Sequence, residues 1–493
     1  MIFDMFSSPV RPALRGERGA VSAAHPSATA AGQWMLARGG SAADAVIAAQ
    51  AVLSVICPEA GGLGGDAFFM ARDAAGQAVA VNAAGASAAA ADPAVRVGED
   101  GSSVTVPGMV AGWGTLHGRF GRLPLSAVLE PAIVLAESGC RVRPQLARAV
   151  DAQRSRLVRA GAGDWAVVIA SDAGAVLRQP ELARTLRSIA QEGPRWFYDG
   201  PLARTIAGRV SACGGRLDAG DFARHDSVVV APVSLSWRGA TVHVQPPASQ
   251  GVLLAMALKG LTRLADVPAD RLDHACVELT EAAFAFRHRA GEGAALLDES
   301  LAVNLDRAAR RGGPRAYLHT AGAAASDADG LVIASLLSVF DDFGSCIPVP
   351  EGGFVLNNRA AGFTLAPNDF APGKLPVHTL APILVEADGF CAGLATPGAD
   401  GQVQTLLQVL AAVFVAGADL ASAIDKPRWR SEGGELLIER EHPAAERLAA
   451  LGHDLRPLPA GDMRFGGVVC AGLAGQAPFA VSDWRRENWS GVV

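Results

Sequence analysis

Two runs of small and β-branched residues, Thr320–Ser326 and Leu331–Phe340, flank the tetrapeptide Asp327-Ala328-Asp329-Gly330, and no other feature constrains the chain as much. Asp and Gly at these places are turn chemistry. The spacing predicts an antiparallel hairpin with a three-residue loop, Gly330 in the left-handed region and Asp327 opposite Leu331. Counting back along that register places Thr320 opposite Ser338. Directly opposed residues stand about 4.5–5.5 Å apart at Cβ, so two hydroxyls would face each other at the open end of the hairpin. A hydroxyl nucleophile needs a base and an orienting hydrogen bond, and a Thr freed at a new N-terminus carries its own base as the α-amino group. A cross-strand Thr–Ser pair without chemistry meets the same spacing.

Helical patterns surround this hairpin. Pro26–Arg38 reads as a helix stopped by Gly39-Gly40, and Ser41 as the N-cap of a second, apolar helix to about Val55. Gly61-Gly62-Leu63-Gly64-Gly65-Asp66 then leads into the strand-like stretch 67–71. That order, helix, glycines, strand, is the reverse of a dinucleotide-binding fingerprint, so these glycines are expected to let backbone pass close to another element. Residues 120–225 read as mostly helical, 227–244 as β-rich, and 252 to about 289 as helical again. The stretch 291–319, which holds Gly312-Gly313-Pro314, reads as an exposed linker. Further short strands are expected at 354–356, 382–385 and 390–394, with helices at 403–416 and 444–451. Sheets covered by helices on their outer faces, an α+β chain, follow from this order.

Composition removes several functions. Half of the residues are hydrophobic and 19% are charged, so most of the chain can be buried. The formal net charge is −6 and the basic residues, nearly all Arg, form no run, which excludes the electrostatic footprint of a nucleic-acid binder. Apolar runs such as 409–418 fall short of the roughly 18 residues that span a bilayer, and no membrane association is expected. Met1-Ile-Phe-Asp4 carries an acid where a signal peptide carries positive charge, so a cytoplasmic location is expected. The seven cysteines are odd in number and contain no CxxC pair, which argues against a disulfide framework or zinc knuckle. The ten histidines show no metal-ligand spacing, and no phosphate-loop, HExxH or GxSxG motif is present.

Thr396-Pro397-Gly398-Ala399-Asp400 stands directly before an apolar helix. The N–H groups around Gly398 and Ala399 therefore lie near a helix N-terminus, where donors can hold a developing negative oxygen. An ordinary Asp N-cap after a turn is the other reading of the same residues.

Across nearly its whole length the chain carries, in order, Gly40-Ser-Ala-Ala-Asp44-Ala, Gly62-Leu-Gly-Gly-Asp66, Val106-Pro-Gly-Met-Val-Ala-Gly112-Trp, Phe120-Gly-Arg-Leu-Pro124, Gly193-Pro-Arg-Trp-Phe-Tyr198, Pro246-Pro-Ala-Ser-Gln-Gly251, Phe343-Gly-Ser345 and Leu356-Asn-Asn-Arg-Ala-Ala-Gly-Phe363. With these it resembles the γ-glutamyltranspeptidase family of N-terminal-nucleophile hydrolases, in particular the lidless, γ-glutamyltransferase-like amidohydrolase branch. The resemblance implies a four-layer αββα sandwich and one precursor that cuts itself before Thr320. Residues 1–319 would form the large subunit and 320–493 the small one, together making a single domain. It further implies Ser338 as the hydroxyl that bonds the nucleophile, Gly398 and Ala399 as oxyanion donors, and His378 and Thr379 as a polar pair facing the substrate. Asn358 and Arg359 join them as substrate-binding residues. The implied reaction is attack on an amide carbonyl, release of the amine and resolution of an acyl-enzyme, with no metal or organic cofactor. The implied partners are a small-molecule amide and the processed subunit itself, with a dimer of these heterodimers left open.

Departures from the family pattern bear on substrate. Where γ-glutamyl-specific members carry an Arg for the substrate α-carboxylate, this chain has Ala84-Gly-Ala-Ser-Ala88. The Asp that receives the α-amino group corresponds to Gly362, and the usual Asn and Gln contacts to Phe340 and Arg359. Each lost charge-assisted bond is worth roughly 1.5–3 kcal/mol, and Arg359 is a candidate replacement cation. The residues after Thr320, Ala321-Gly322-Ala323-Ala324-Ala325, also lack the Thr-His or Val-Tyr usual there. Three readings follow: a self-processing amidohydrolase acting on a small acidic or γ-glutamyl-like amide, a true γ-glutamyl hydrolase or transferase with a rearranged pocket, and a noncatalytic single-chain relative.

Overall fold

Every residue of the strand Val332–Ser338 is buried, and its alternate side chains belong to different cores. Ile333 and Leu337 pack with helices on one side, whereas Val332, Ala334 and Leu336 lie on the other. A strand buried on both faces needs cover on both faces, and the computed structural model, which describes residues 10–264, 267–311 and 319–493, supplies it. The hairpin sits at the centre of a seven-stranded antiparallel sheet in the order Trp489–Val492, Gly19–Ala23, Ala321–Asp327, Val332–Ser338, Asp66–Arg72, Ala78–Ala83 and Val228–Val230. A second sheet of seven antiparallel strands runs Leu14–Arg15, Ala477–Ser482, Val469–Ala474, Phe390–Ala395, Ile383–Ala387, Ala240–Val244 and Val233–Trp237.

The helices Pro26–Ala37, Ala42–Ile56, Met109–Phe120 and Leu125–Ser138 share one core with the first sheet. Those at Gly251–Arg263, Leu272–Phe284 and Gly401–Phe414 share another with the second sheet. Phe68, Leu336, Leu380 and Val469 fill the space between the sheets. The result is the four-layer αββα sandwich. Small residues bring the two sheets close: a Cβ on Gly393 would stand 3.0 Å from Ala334 Cβ, and one on Gly322 would stand 2.9 Å from Val469 Cγ2.

The hairpin register is the one its turn dictates. Ala321 pairs with Leu337 and Ser326 with Val332, the Asp327 N–H reaches the Leu331 carbonyl at 3.0 Å, and Gly330 has φ 102°. Asp327 also accepts the Ala42 N–H at 2.9 Å, docking the turn on the start of the helix that Ser41 and Asp44 cap reciprocally. The glycine run makes the close approaches expected of it. A Cβ on Gly64 would lie 2.1 Å from the Val355 carbonyl oxygen, and one on Gly65 would lie 2.4 Å from that of Ser338.

The stretch read as an exposed linker is exposed over most of its described length, but it is anchored at a few points. Residues Arg287–Asp298 form a 3₁₀ segment that buries Ala290 and Leu296. Further on, Glu278 accepts the Ala309 N–H at 2.8 Å and the Arg311 guanidinium at 2.9 Å, while Glu281 accepts the Arg311 N–H at 2.9 Å. Carboxylates on a neighbouring helix hold this stretch, so it carries no apolar period. Gly312-Gly313-Pro314 and Met1-Ile-Phe-Asp4 lie outside the described residues. Among the described residues no helix is long and apolar enough to cross a membrane.

The glycine run yields a stability prediction. Gly65→Ala forces a Cβ into backbone that carries Ser338, and overpacking of that kind costs roughly 1–3 kcal/mol. Gly62→Ala, whose Cβ would meet nothing within 4 Å, should stay within about 0.5 kcal/mol. Thermal melts of the two variants test this: equal midpoints would contradict it.

Candidate active site

Three neighbouring strands end in one polar row. Ser338 pairs directly with Asp66, and Thr320 precedes Ala321, the partner of Leu337. Strand alternation turns all three side chains to the same face as Phe68, Ala324 and Leu336, toward the second sheet. Thr320 is 3% exposed and Ser338 1%. Their hydroxyl oxygens are 3.5 Å apart, beyond the 2.5–3.0 Å of a formed O–H···O bond. Such contacts commonly stand long in unliganded sites and tighten when the site is filled. Ser338 Oγ also accepts the Phe340 N–H at 2.9 Å. Phe340 achieves this with φ 85°, a conformation that costs a non-glycine residue on the order of 1–3 kcal/mol.

Asp66 is the junction of the row with the rest of the site. It is fully buried. Its Oδ2 accepts Arg359 Nε at 3.2 Å and meets His378 Nε2 at 3.1 Å, while Oδ1 accepts the Gly108 N–H at 3.3 Å. His378 Nδ1 accepts the Leu380 N–H at 3.1 Å, so the ring proton sits on Nε2 and is donated to Asp66. Burial, followed by the nearby Arg359 charge, pushes His378 down to about 4; the imidazole is neutral at pH 7. Arg359 is fully buried and stacks on Phe340, 4.4 Å from the ring centroid. Only its Nε is engaged: Nη1 and Nη2 are buried without a hydrogen-bond partner.

The turn at 396–400 comes from the second sheet. Gly398 and Ala399 have φ 118° and 52°, and their carbonyls accept the N–H groups of Gly401 (2.8 Å) and Gln402 (3.1 Å) as the helix begins. Asp400 occupies the cap position without capping; its carboxylate instead pairs with Arg287 at 3.0 Å. The N–H groups of Gly398 and Ala399 meet no backbone acceptor among the described residues. Arg430 stands behind them, close enough that a Cβ on Gly401 would lie 2.8 Å from its Nη1. Pro397 lines a cleft together with His319 and Thr320, so the turn and the hydroxyl row share one opening.

Gln250 ties these parts together. Its Nε2 donates to the carbonyls of Thr379 (3.0 Å) and Ala399 (3.1 Å), and the neighbouring Ser249 hydroxyl donates to the Leu380 carbonyl at 2.6 Å. Asn358 faces elsewhere: its carboxamide accepts the Asp341 N–H at 3.1 Å and donates to the Asp341 carboxylate at 2.9 Å, holding the loop after Ser338. Sequence reasoning singled out neither Asp66 nor Gln250. Extending the hairpin register one strand further would have found Asp66, whereas Gln250 acts across two loops that no local pattern connects.

A sequence profile described as Gamma-glutamyltranspeptidase matches residues 28–492. The chain belongs to the γ-glutamyltranspeptidase family. Among its relatives it is 32% identical to an oxamate amidohydrolase proenzyme of Klebsiella pneumoniae, over 89% of this chain and 92% of the relative. It is 30% identical to the acylase ACY 1 proenzyme of Pseudomonas sp. strain SE83, over 93% and 91%. Its fold superimposes on the crystal structure of cephalosporin acylase from Bacillus halodurans with TM-score 0.88 and 26% identity, covering 100% of this chain and 99% of the other.

Within this member of the family, the His378 environment predicts a pH dependence. An unfolded imidazole titrates near 6.5, but the folded one does so only near 4. Between these values the unfolded state binds the additional proton, so stability present above pH 6.5 is lost as the pH falls toward 4. The melting temperature of the wild type should therefore fall more steeply over that window than that of His378→Gln. Other buried histidines contribute to both curves and cancel in the comparison; parallel curves would refute the assignment.

Proposed function

We propose that this protein is a self-processing threonine amidohydrolase that opens the amide of a small carboxylate-bearing substrate. The observation that carries this reading is the guanidinium of Arg359, held by Asp66 through Nε and backed by Phe340, with both terminal nitrogens buried and unpaired. A buried donor without an acceptor is costly, and two parallel N–H groups in a fixed fork fit a carboxylate bidentately. The fork lies beside the hydroxyl row, because Phe340 touches both Arg359 and Ser338.

In this reading the Thr320 α-amino group, free after cleavage, takes the proton of its own hydroxyl as Oγ1 adds to the substrate amide carbon. Ser338 orients that hydroxyl. The N–H groups of Gly398 and Ala399, with the Arg430 cation behind them, receive the oxyanion. The amine leaves with a proton, and water releases the acid from the ester on Thr320. Neutral His378 adds no charge beside Arg359. At the position of the family's acid for an α-ammonium, Gly362 carries no carboxylate and a Cβ on it would lie 3.7 Å from the Phe340 ring, and at the position of the family's Arg for an α-carboxylate, Ala84 packs in the apolar cluster of Phe68 and Leu380. An oxamate amidohydrolase and an acylase among the relatives, both proenzymes, support an amide substrate and a cut chain over the noncatalytic reading.

Two measurements test the proposal. On a denaturing gel, cleavage before Thr320 divides the 50.5 kDa chain into 319 and 174 residues, bands of about 33 and about 18 kDa, and Thr320→Ala should leave one band. The processed enzyme should hydrolyse oxamate in preference to γ-glutamyl-p-nitroanilide. Arg359→Lys, which keeps the charge and loses the fork, should lower kcat/KM for oxamate by roughly 10-fold or more, about 1.4 kcal/mol. A γ-glutamyl preference untouched by Arg359→Lys would overturn the substrate assignment.

A further inference from the structure

On the proposed processing reading, the bond to be cut joins His319 to Thr320, and the acyl side of that bond has its own anchor. His319 Nδ1 bonds Asp342 Oδ1, with the two side chains 8% and 16% exposed. Asp342 lies four residues after Ser338 in a loop with unusual backbone: Phe340, Phe343 and Cys346 have φ 85°, 59° and 60°. Such conformations persist where the surroundings over-determine them, and here they do. Asn358 grips Asp341 from one side. The Phe343 N–H donates to the Glu59 carbonyl at 3.1 Å, and Arg156 donates to the Gly344 carbonyl at 2.9 Å. The Asp342 carboxylate is therefore fixed relative to Ser338, and through His319 it fixes the carbonyl that Thr320 must attack.

We propose that Asp342 is a positioning residue for maturation, a clamp that acts through the His319 imidazole and has no part in later turnover. In the step it serves, Thr320 Oγ1 adds to the His319 carbonyl carbon, the bond from that carbon to the Thr320 nitrogen breaks, and the hydroxyl proton passes to that nitrogen. Water then adds to the resulting ester, His319 leaves as a carboxylate, and Thr320 regains its hydroxyl. Misplacing reacting atoms by about 1 Å can cost on the order of 100-fold in rate, so a held carbonyl matters most where the nucleophile is fixed by a strand. The new His319 carboxylate is a further anion in a cleft that already holds Glu59 and Glu487. Arg143 there pairs with both of those acids, and Arg486 lines the same cleft.

The test follows the two bands over time in full-length precursor and measures turnover separately on material that has been processed. Asp342→Ala and His319→Ala should each slow cleavage by roughly 10-fold or more, and the double variant should be no slower than either single one, because both remove one contact. Processed Asp342→Ala should keep the wild-type kcat/KM. Asp342→Asn, which retains an acceptor oxygen for the imidazole N–H, should recover part of the cleavage rate. Cleavage of Asp342→Ala at the wild-type rate, additive losses in the double variant, or equal losses in cleavage and turnover would each overturn the clamp. If Asp342→Ala does not fold, His319→Ala carries the test, since it removes the contact without touching the strained loop. An uncut wild-type chain, or a Thr320→Ala chain cut at the same bond, would instead overturn the processing reading and the clamp with it.

Discussion

Asp66 is a carboxylate without solvent, and the site depends on the bonds it must collect to be tolerated there. A charge in that position requires full pairing, and the chain meets the requirement from three directions: Gly108 at the start of a helix, Arg359 from a short 3₁₀ turn, and His378 from the approach to the second sheet. Because Asp66 is in register with Ser338, each of those groups is located relative to the hydroxyl row. The orientation of Arg359 follows. With Nε committed to Asp66 and its face committed to Phe340, its terminal nitrogens have one remaining direction.

The second sheet contributes complementary pieces, and the spacing of the two layers decides whether the halves meet. That spacing is small because a glycine stands at each contact, Gly393 against Ala334 and Gly322 against Val469. A larger side chain at any of these positions would act as a spacer between the hydroxyl row and the amides of Gly398 and Ala399, although none of them touches the site. Gln250 fixes the same relation on the other side by bonding two carbonyls at once.

How much of this was legible in the sequence depended on whether the signal was local. The hairpin was, since one turn sets the register and the register sets the facing pair. The N-cap at Ser41 and the close approaches of the glycine run were legible for the same reason. The strands Val469–Ala474 and Ala477–Ser482, joined by the two-residue turn Gly475-Gln476, went unread because they are almost wholly buried and show no alternation, whereas Trp489–Val492 is a four-residue edge strand too short to show one. The stretch before Arg311 is exposed as read, but its anchoring by carboxylates of a neighbouring helix left no local signal. In the site, Thr320 and Ser338 were reached from spacing and from resemblance alike, and the turn at Gly398 from its place before a helix. Asp66 and Gln250 were not, since their importance lies in partners far away in the chain.

The position of the hairpin within its sheet carries one more consequence. On one side Ala321–Asp327 pairs with Gly19–Ala23, and on the other Val332–Ser338 pairs with Asp66–Arg72, so strands from before residue 320 enclose those that follow it. The second sheet is interleaved in the same way, with Ile383–Ala387 beside Ala240–Val244 and Ala477–Ser482 beside Leu14–Arg15. A break in the backbone between His319 and Thr320 would end the chain's continuity and leave every one of these ladders intact. The two pieces would stay interlocked like the teeth of a closed zip, and separating them would require unfolding both sheets.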